Sequence, residues 1–391
     1  MEKIIVLRDL RLARGEDPFS AGIKGWPGHA DGPPEPAVDV VDAQGPDLVR
    51  LRKAPGWLAD GVAVPTLLIR PTSVGSATCV SSWGVGAIGA DGSEFDGAGV
   101  TVAILDTGID REHPAFEGVN LVERDFTGAG NGDRHGHGTH CAGTIFGRDV
   151  AGGRIGIARG VTHALIGKIL GDDGSGSSEM ILQGIQWANE EGADVISMSV
   201  GLDFPGHVAS LISANWPAAL ATSRALEAYR KNLRLFDTQM SMLRARDDVG
   251  LGGIVVAAAG NESRRDLDAE YTIGSSLPAA ADGVLSVAAA GFDTEGLAVA
   301  AFSNTFPDVA APGVDIVSAR AGQGTCAMSG TSMACPHVAG AAALWWQKVA
   351  GADRKRAADK VRTNLLASAR TDRFAGRATD ENVGAGLVMA P

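Results

Sequence analysis

From Gly99 onwards, short apolar runs alternate with segments of helical character, and this alternation constrains the fold most strongly. The first run, Val100–Leu105, is rich in β-branched residues and has no polar face, which is typical of a strand buried on both sides of a sheet. Similar runs recur at 164–170, 193–198, 253–259 and 284–289, and helix-favouring stretches lie at 178–190 and 336–349. The pattern predicts an α/β fold, a doubly wound and mostly parallel sheet flanked by helices.

The composition and net charge limit the classes of partner that this chain can bind. The chain has 391 residues, of which 45% are apolar, so it can bury a sizeable core and is not disordered throughout. Its 46 acidic residues outnumber its 34 basic ones, which gives a formal charge of −12. Because phosphate backbones and anionic membranes repel such a chain, we expect no nucleic-acid partner and no membrane partner.

The first 78 residues differ in composition from the rest of the chain. Nine of the 17 prolines fall within the first 71 residues, and prolines at this density disfavour regular helices and central strands. We expect a small N-terminal appendage of low regularity over residues 1–78, followed by one large domain over residues 79–391. The only apolar run near the start, Ile4–Leu7, is shorter than the apolar core of a secretory signal. A cytoplasmic location is therefore predicted, with non-classical export left open.

A charged segment interrupts the alternation of strands and helices in the large domain. Residues 217–248 favour a helix and carry apolar residues at roughly helical spacing, namely Leu226, Leu233, Phe236, Met240 and Leu243. We interpret the region at about 203–250 as a helical insertion that packs on the domain surface.

The four cysteines do not form a recognisable framework. Cys79, Cys141, Cys326 and Cys335 lack metal-ligand spacing and are few for a chain of this length. Reduced thiols are the preferred interpretation, and a bridge between Cys79 and Cys326 stays an alternative.

Three short segments contain side chains suited to catalysis. Asp106 ends the first apolar run, where the strands of an open α/β sheet direct functional groups into a crevice. His137 belongs to a cluster with His135 and His140. Ser332 lies in Ser-Gly-Thr-Ser-Met-Ala, at the expected start of a helix that favours anionic oxygen. Taken singly, these residues could also be a turn cap, a metal ligand and a helix N-cap.

A metal site in the histidine cluster is the first alternative. The local acid is Asp133, there is no His-Glu-x-x-His pattern, and the cysteines are not paired as zinc ligands usually are. We therefore predict no metal there, and a metallohydrolase built on these histidines is disfavoured.

The three segments supply an acid, a base and a nucleophile in the order Asp, His, Ser, and with their flanking motifs the chain resembles the subtilisin-like (subtilase) serine peptidases. The resemblance extends from about Trp83 to Val388. It implies that Ser332 is the nucleophile, that His137 is the general base, and that Asp106 orients the imidazole.

The resemblance also implies the remainder of the site. Asn261, in Ala-Gly-Asn-Glu, would complete an oxyanion hole with the backbone N–H of Ser332. A substrate would pair as an extended strand between two edges, with a specificity pocket beyond them. The implied edges are Gly174, Ser175 and Gly176 on one side and Ser199, Val200 and Gly201 on the other, and the implied pocket residues are Ala258, Gly260 and Pro278. A cis peptide bond is expected before Pro278.

The implied activity is that of a serine endopeptidase acting on peptides or proteins through an acyl-enzyme. The alternative is a catalytically silent peptide-binding or scaffold protein on the same fold. No cofactor is expected to be required. The family's tight calcium site is predicted absent, because Ala115 follows His113-Pro114 and the loop at 148–154 contains two arginines. Other calcium sites stay open.

The N-terminal residues occupy the position of the family's inhibitory propeptide. The resemblance therefore implies possible self-inhibition by residues 1–78, with self-cleavage near 71–82.

Overall fold

The computed structural model describes residues 2–13, 33–43, 45–68, 73–76, 82–350, 354–376 and 378–391. The predicted boundary between residues 78 and 79 lies outside these ranges, as does Cys79.

The N-terminal unit is a small antiparallel sheet with short helices. Its elements are β1 (Glu2–Asp9), α1 (Leu10–Ala13), β2 (Pro36–Ala43), α2 (Gly45–Leu51) and β3 (Trp57–Val62). The strand order is β2-β1-β3, so the prediction of low regularity is wrong for the described residues.

The run in β1 is apolar throughout because both of its faces are covered. Ile4 and Val6 pack with residues of α2. Ile5 and Leu7 join the core of the larger domain.

The remaining elements belong to the larger domain or join it. In chain order they are β4 (Pro65–Leu68), β5 (Ser73–Ser76), α3 (Trp83–Ala87), β6 (Thr101–Asp106), β7 (Asn120–Asp125), α4 (His137–Phe146), β8 (His163–Lys168), β9 (Ser175–Ser177), α5 (Ser178–Glu190), β10 (Val195–Met198), β11 (Val200–Leu202), α6 (Phe204–Ser213), α7 (Ala218–Asp247), β12 (Ile254–Ala258), β13 (Val284–Phe292), β14 (Leu297–Val299), β15 (Val309–Pro312), β16 (Ile316–Ala319), β17 (Thr325–Ser329), α8 (Thr331–Val349), α9 (Ala357–Ser368) and α10 (Asp380–Val383). The five apolar runs found in the sequence correspond to β6, β8, β10, β12 and β13.

The central sheet has the order β14-β13-β12-β10-β6-β8-β7, with β15 also paired to β13. Every pairing in it is parallel except that of β13 with β14. The prediction of a doubly wound, mostly parallel sheet is therefore confirmed.

Helices cover both faces of this sheet, which is why its strands read as unbroken apolar runs. Along β6, Val102 and Ile104 pack into one core layer, which includes apolar residues of α4, α8 and α9. Ala103 and Leu105 pack into the other layer, which includes residues of α5 and α7.

The strand order reverses between β6 and β10. After β6 the chain builds β7 and β8 on one side, and it then crosses to β10, β12 and β13 on the other. Carboxyl ends at such a reversal open onto a crevice, because the helices that follow them diverge to opposite faces. Asp106 ends β6 and Ser199 follows β10 at this crevice.

The interrupting segment forms α6 and the long helix α7, which packs against β3 of the N-terminal unit. Phe236, Met240 and Leu243 of the predicted apolar stripe are buried. Leu226 is 48% exposed because it lies on the outer face of α7, whereas the preceding residue, Ala225, is buried.

Cys141, Cys326 and Cys335 are buried free thiols. Among the described residues, no helix is long and apolar enough to cross a membrane.

Candidate active site

A hydrogen bond joins Asp106 and His137 at the carboxyl end of β6. Nδ1 of His137 lies 2.8 Å from Oδ1 of Asp106, and both side chains are buried. The same carboxylate oxygen accepts a 2.7 Å bond from the backbone N–H of Thr107. A proton on Nδ1 leaves the lone pair of the imidazole on Nε2. Within the part of the chain that is described, Nε2 has no hydrogen-bond partner, so it is suited to take up a proton.

Asp133 fixes the start of the helix that carries His137. Its carboxylate accepts bonds of 2.9 Å from Thr107 Oγ1, 2.7 Å from Gly136 N, and 2.9 and 2.7 Å from the N and Oγ1 of Thr139. A carboxylate here satisfies N–H groups that have no partner within α4 and complements the helix dipole. From the sequence, Asp133 was considered only as the acid of a possible metal site. An acid four residues before the first helical residue was the signal for this role.

Two glycines allow the turn after β6 to approach α4. A Cβ at Gly138 would lie 2.2 Å from the carbonyl oxygen of Gly108, and Gly108 has a φ of +106°. Larger residues at either position would separate Asp106 from His137.

Ser332 lies in the first turn of α8, which begins five residues before the predicted helix at 336–349. Pro336 has no N–H, so the carbonyl oxygen of Ser332 lacks its regular partner four residues further on. That oxygen accepts instead a 3.1 Å bond from Ser199 Oγ and a 3.5 Å contact from Cys141 Sγ. Because Pro336 leaves this oxygen available, Ser332 is bonded to the end of β10 and contacts α4.

Cys141 connects the serine and histidine sides of the site. Its Sγ lies 3.8 Å from His137 Nδ1 as well as 3.5 Å from the Ser332 carbonyl oxygen. Burial, reinforced by the negative charge of Asp106, raises the pKa of this thiol well above its usual value. The group is a protonated packing residue at neutral pH rather than a nucleophile.

Thr331 orients the side-chain amide of Asn261 beside the serine. Oδ1 of Asn261 accepts bonds of 2.9 Å from both the N and the Oγ1 of Thr331. With the oxygen held in this way, the NH2 group of the amide faces away from Thr331 and can act as a donor. Thr331 in turn accepts a 3.2 Å bond from Gly260 N.

Asn304 holds the backbone that follows Asn261, and nothing local in the sequence indicated it. Its Oδ1 accepts 3.1 Å bonds from the backbone N–H groups of Glu262 and Ser263. Its Nδ2 donates to the Glu262 carboxylate at 2.6 Å. A Cβ at Gly260 would lie 2.3 Å from that nitrogen, so Gly260 is required here.

The residues expected to form a specificity pocket lie near Asn261. Ala258 ends β12 and is buried, and Gly260 comes two residues later. The peptide bond between Leu277 and Pro278 is cis, as predicted.

The two expected edges flank a strand of this chain's own N-terminal region. Ser175 and Gly176 lie in β9, Val200 and Gly201 lie in β11, and Gly174 and Ser199 come directly before these strands. β4 lies between them and pairs antiparallel with both. Further along, β5 pairs with β17, just before the helix that carries Ser332.

The three histidines do not point to a common centre. His135 is exposed, whereas His140 is buried and its Nε2 lies 2.9 Å from the carbonyl oxygen of Ile316. Burial lowers the pKa of His140 to about 3. In the described ranges, the metal-ligating atoms that approach one another belong to Asp106, His137 and Cys141.

Two arginines of the loop at 148–154 donate to carbonyl oxygens of the segments around it. Arg148 donates to the carbonyl oxygens of Phe146 at 3.0 Å, Val161 at 3.0 Å and Arg159. Arg154 donates to the carbonyl oxygens of Ala90, Gly156 and Ile157. These cations attach the loop to its surroundings.

Fold and site together define a doubly wound α/β protein with Asp, His and Ser side chains gathered at the carboxyl edge of its sheet. The model of the subtilase family matches residues 97–386, well over half of the chain. The chain belongs to the subtilase family, as its motifs predicted.

Three curated relatives illustrate the similarity. "Subtilisin-like protease 6" of Trichophyton rubrum is 33% identical over 302 residues, which cover 71% of this chain and 61% of the relative. "Intracellular serine protease" of Paenibacillus polymyxa is 36% identical over 254 residues, covering 63% and 67%. "Subtilisin-like protease 4" of Arthroderma benhamiae is 33% identical over 325 residues, covering 78% and 67%. The chain thus spans about three fifths of the length of the Trichophyton relative.

Proposed function

We propose that this protein is a serine endopeptidase that hydrolyses peptide bonds through an acyl-enzyme intermediate. The observation that carries the proposal is the 2.8 Å bond from His137 Nδ1 to buried Asp106, with Nε2 left unpartnered in the described structure beside the Ser332 helix. The relatives are named as proteases, which agrees with it.

In the proposed mechanism Ser332 Oγ attacks the carbonyl carbon of the substrate while His137 Nε2 accepts its proton. Asp106 keeps the proton of Nδ1 in place and stabilises the imidazolium that forms. The negative oxygen of the tetrahedral intermediate receives hydrogen bonds from Asn261 Nδ2 and the Ser332 backbone N–H, at the positive end of α8. His137 then protonates the leaving amine, and water hydrolyses the acyl-enzyme by the same steps.

A fluorophosphonate probe tests the proposal, because it labels only an activated serine. We expect labelling and casein hydrolysis by the full chain, and neither by Ser332→Ala. Ser241→Ala, on the exposed side of α7, is the matched control and should behave as the unchanged protein does. Absence of labelling in a folded protein would favour the peptide-binding or scaffold alternative. Activity lost only to a chelator would favour a metallohydrolase.

We infer further that the N-terminal residues inhibit the enzyme in cis. β4 lies in the groove where a substrate would pair, and Asp106, His137 and Ser332 are all buried in this form. The unit is also bonded to the large domain outside the groove, since Val38 N donates to Gln186 Oε1 at 2.8 Å. Release therefore requires cleavage of the chain between the unit and the triad.

Self-processing tests this second proposal. β4 ends at Leu68 in the expected substrate groove, and β5 begins at Ser73 beside β17, which precedes the Ser332 helix, so cleavage is expected between these strands or within the predicted range of 71–82. Mass spectrometry of the incubated protein should reveal a new N-terminus in this region, and activity should rise with its appearance. Ser332→Ala should stay intact. A fully active, uncleaved chain would contradict the inference.

No cofactor is required by the proposed chemistry, and peptides or proteins are its substrates. The acidic charge supports the absence of nucleic-acid and membrane partners. A cytoplasmic location agrees with the name of the Paenibacillus relative and can be tested by fractionating the cells that produce this protein.

A further inference from the structure

The groove between β9 and β11 continues past the start of β4. Val64, the residue before β4, donates from its backbone N to Ser178 Oγ at 3.1 Å, and its carbonyl oxygen accepts a 2.9 Å bond from Ser178 N. Ser178 is fully buried at the start of α5. Both main-chain groups of Val64, its N–H and its C=O, are therefore bonded to Ser178, one residue beyond the β-ladder.

Side chains alternate along this segment, so every second one faces into the groove. Val64 and Thr66 are buried, whereas Pro65 between them is exposed. Val64 belongs to the same core layer as residues of α5 and α7.

The inserted helices provide the wall beside Val64. The small cavity next to Val64 and Pro65 is lined by Leu202, Asp203, Phe204, His207, Ala225 and Tyr229. The rings of Phe204 and Tyr229 meet edge to face with centroids 6.1 Å apart. Asp203 caps α6 by accepting a 2.9 Å bond from Gly206 N, which keeps a carboxylate at the rim.

We propose that α6 and α7 add a subsite to the substrate cleft, which takes an apolar side chain at the position of Val64. The occupant is a segment of the peptide substrate, and this chain's own Val64 demonstrates the fit. Ser178 binds the main chain of that residue, and Phe204, Ala225 and Tyr229 enclose its side chain. An acidic side chain is disfavoured there, because it would lose hydration beside Asp203. The inference rests on the proposed peptidase function.

Two N-acetylated peptides test the subsite with the full chain after it has cleaved itself and released its N-terminal unit, and the active fraction of this enzyme is counted with a fluorophosphonate. The long peptide has the sequence of residues 62–76, and the short one that of residues 65–76. We expect a kcat/KM about tenfold higher for the long peptide, mostly through KM, which corresponds to about 1.4 kcal/mol. Within the long peptide, replacing Val64 by Ala should remove most of this advantage, and replacing it by Asp should remove all of it.

Enzyme variants assign the effect to the inserted helices. Tyr229→Ala should lower the ratio of long-peptide to short-peptide kcat/KM towards one. Leu226→Ala changes an exposed residue of the same helix and should keep the ratio of the unchanged enzyme. Equal cleavage of both peptides by the unchanged enzyme would overturn the subsite while leaving the peptidase function standing. Cleavage of neither peptide would overturn the function and the subsite together.

Discussion

Asn232, in the inserted helix α7, donates from its side-chain amide to the carbonyl oxygen of Val62 at the end of β3, over 2.9 Å. Asn232 is fully buried, and its Nδ2 also bonds to the Ala228 carbonyl oxygen. At the adjacent position, a Cβ on Gly61 would lie 2.3 Å from Leu235. The insertion thus has a second role besides lining the cleft, since it holds the N-terminal unit.

Removing this bond should speed the release of the N-terminal unit. Asn232→Ala leaves a buried carbonyl oxygen with one partner fewer, at a cost of about 1–1.5 kcal/mol to the docked state. We expect activity to appear about fivefold to tenfold faster after self-cleavage, measured with a short chromogenic peptide. Ser241→Ala removes an exposed side-chain bond from the same helix and is the control. Identical release rates for both variants would show that the bond does not hold the unit.

Loss of the Asn261 amide should reduce kcat rather than raise KM, because the donor acts on the transition state. Asn261→Ala is expected to lower kcat by about 10²–10³, or about 3–4 kcal/mol, a cost measured for this type of donor in a subtilisin. Thr331→Val keeps the backbone bond to Asn261 but removes both bonds of Oγ1, the one to Asn261 Oδ1 and the one from Gly260 N, so we expect a smaller loss of about tenfold. Steady-state kinetics on one peptide, with Thr222→Val on the exposed face of α7 as control, measure both effects. A Thr331→Val enzyme with normal kcat would mean that the backbone bond alone orients the amide.

Stability should fall as the pH is lowered below about 6.5, because two histidines are buried in neutral form. Burial lowers the pKa of His140 to about 3 and that of His337 to about 4, whereas both titrate near 6.5 in the unfolded chain. The unfolded state therefore binds more protons than the folded state in this window. The contribution of each histidine to stability is fully present above pH 6.5. Below that pH it should decrease by up to about 1.4 kcal/mol per pH unit until the folded pKa is reached.

Denaturant unfolding of the Ser332→Ala protein at pH 7, 6 and 5 measures this dependence without self-digestion. Adding His337→Asn should reduce the slope of the unfolding free energy against pH by the contribution of one histidine. Adding His135→Asn, at an exposed position, should leave it unchanged. An equal slope in all three proteins would assign the acid sensitivity to other groups.

The loop at 148–154 should depend on its arginine rather than on calcium. Arg148→Met leaves three carbonyl oxygens without their shared donor, and we expect a loss of about 2 kcal/mol in the free energy of unfolding. Millimolar calcium should not restore it. Arg134→Met, at a side chain that is 78% exposed, is the control. Tight calcium binding by calorimetry that is abolished by changes in this loop would contradict the prediction.

The central sheet and its helices could be predicted because the information is local. A strand buried on both faces must be apolar throughout, so β6, β8, β10, β12 and β13 were visible as runs. The motifs around Asp106, His137 and Ser332 were likewise readable, since each short segment indicates its own turn or helix start. The role of Asn304 could not be predicted from the sequence, because it depends on a loop some 40 residues away.

The N-terminal unit illustrates the opposite case. The run at 4–7 was considered only as too short for a secretory signal, since nothing local indicates which two surfaces will cover it. Only packing against α2 on one face and against the large domain on the other explains why it is apolar on both faces.

The family, the sheet and the chemical groups available for catalysis could be predicted without coordinates, because they depend on residue type and on spacing along the chain. The tertiary structure alone decided that β4 lies between β9 and β11, that α7 holds Val62, and that Pro336 leaves the Ser332 carbonyl oxygen to Ser199. Each of these is a contact between segments far apart in sequence. Such contacts depend on shape and on hydrogen-bond partners that exist only after the chain has folded.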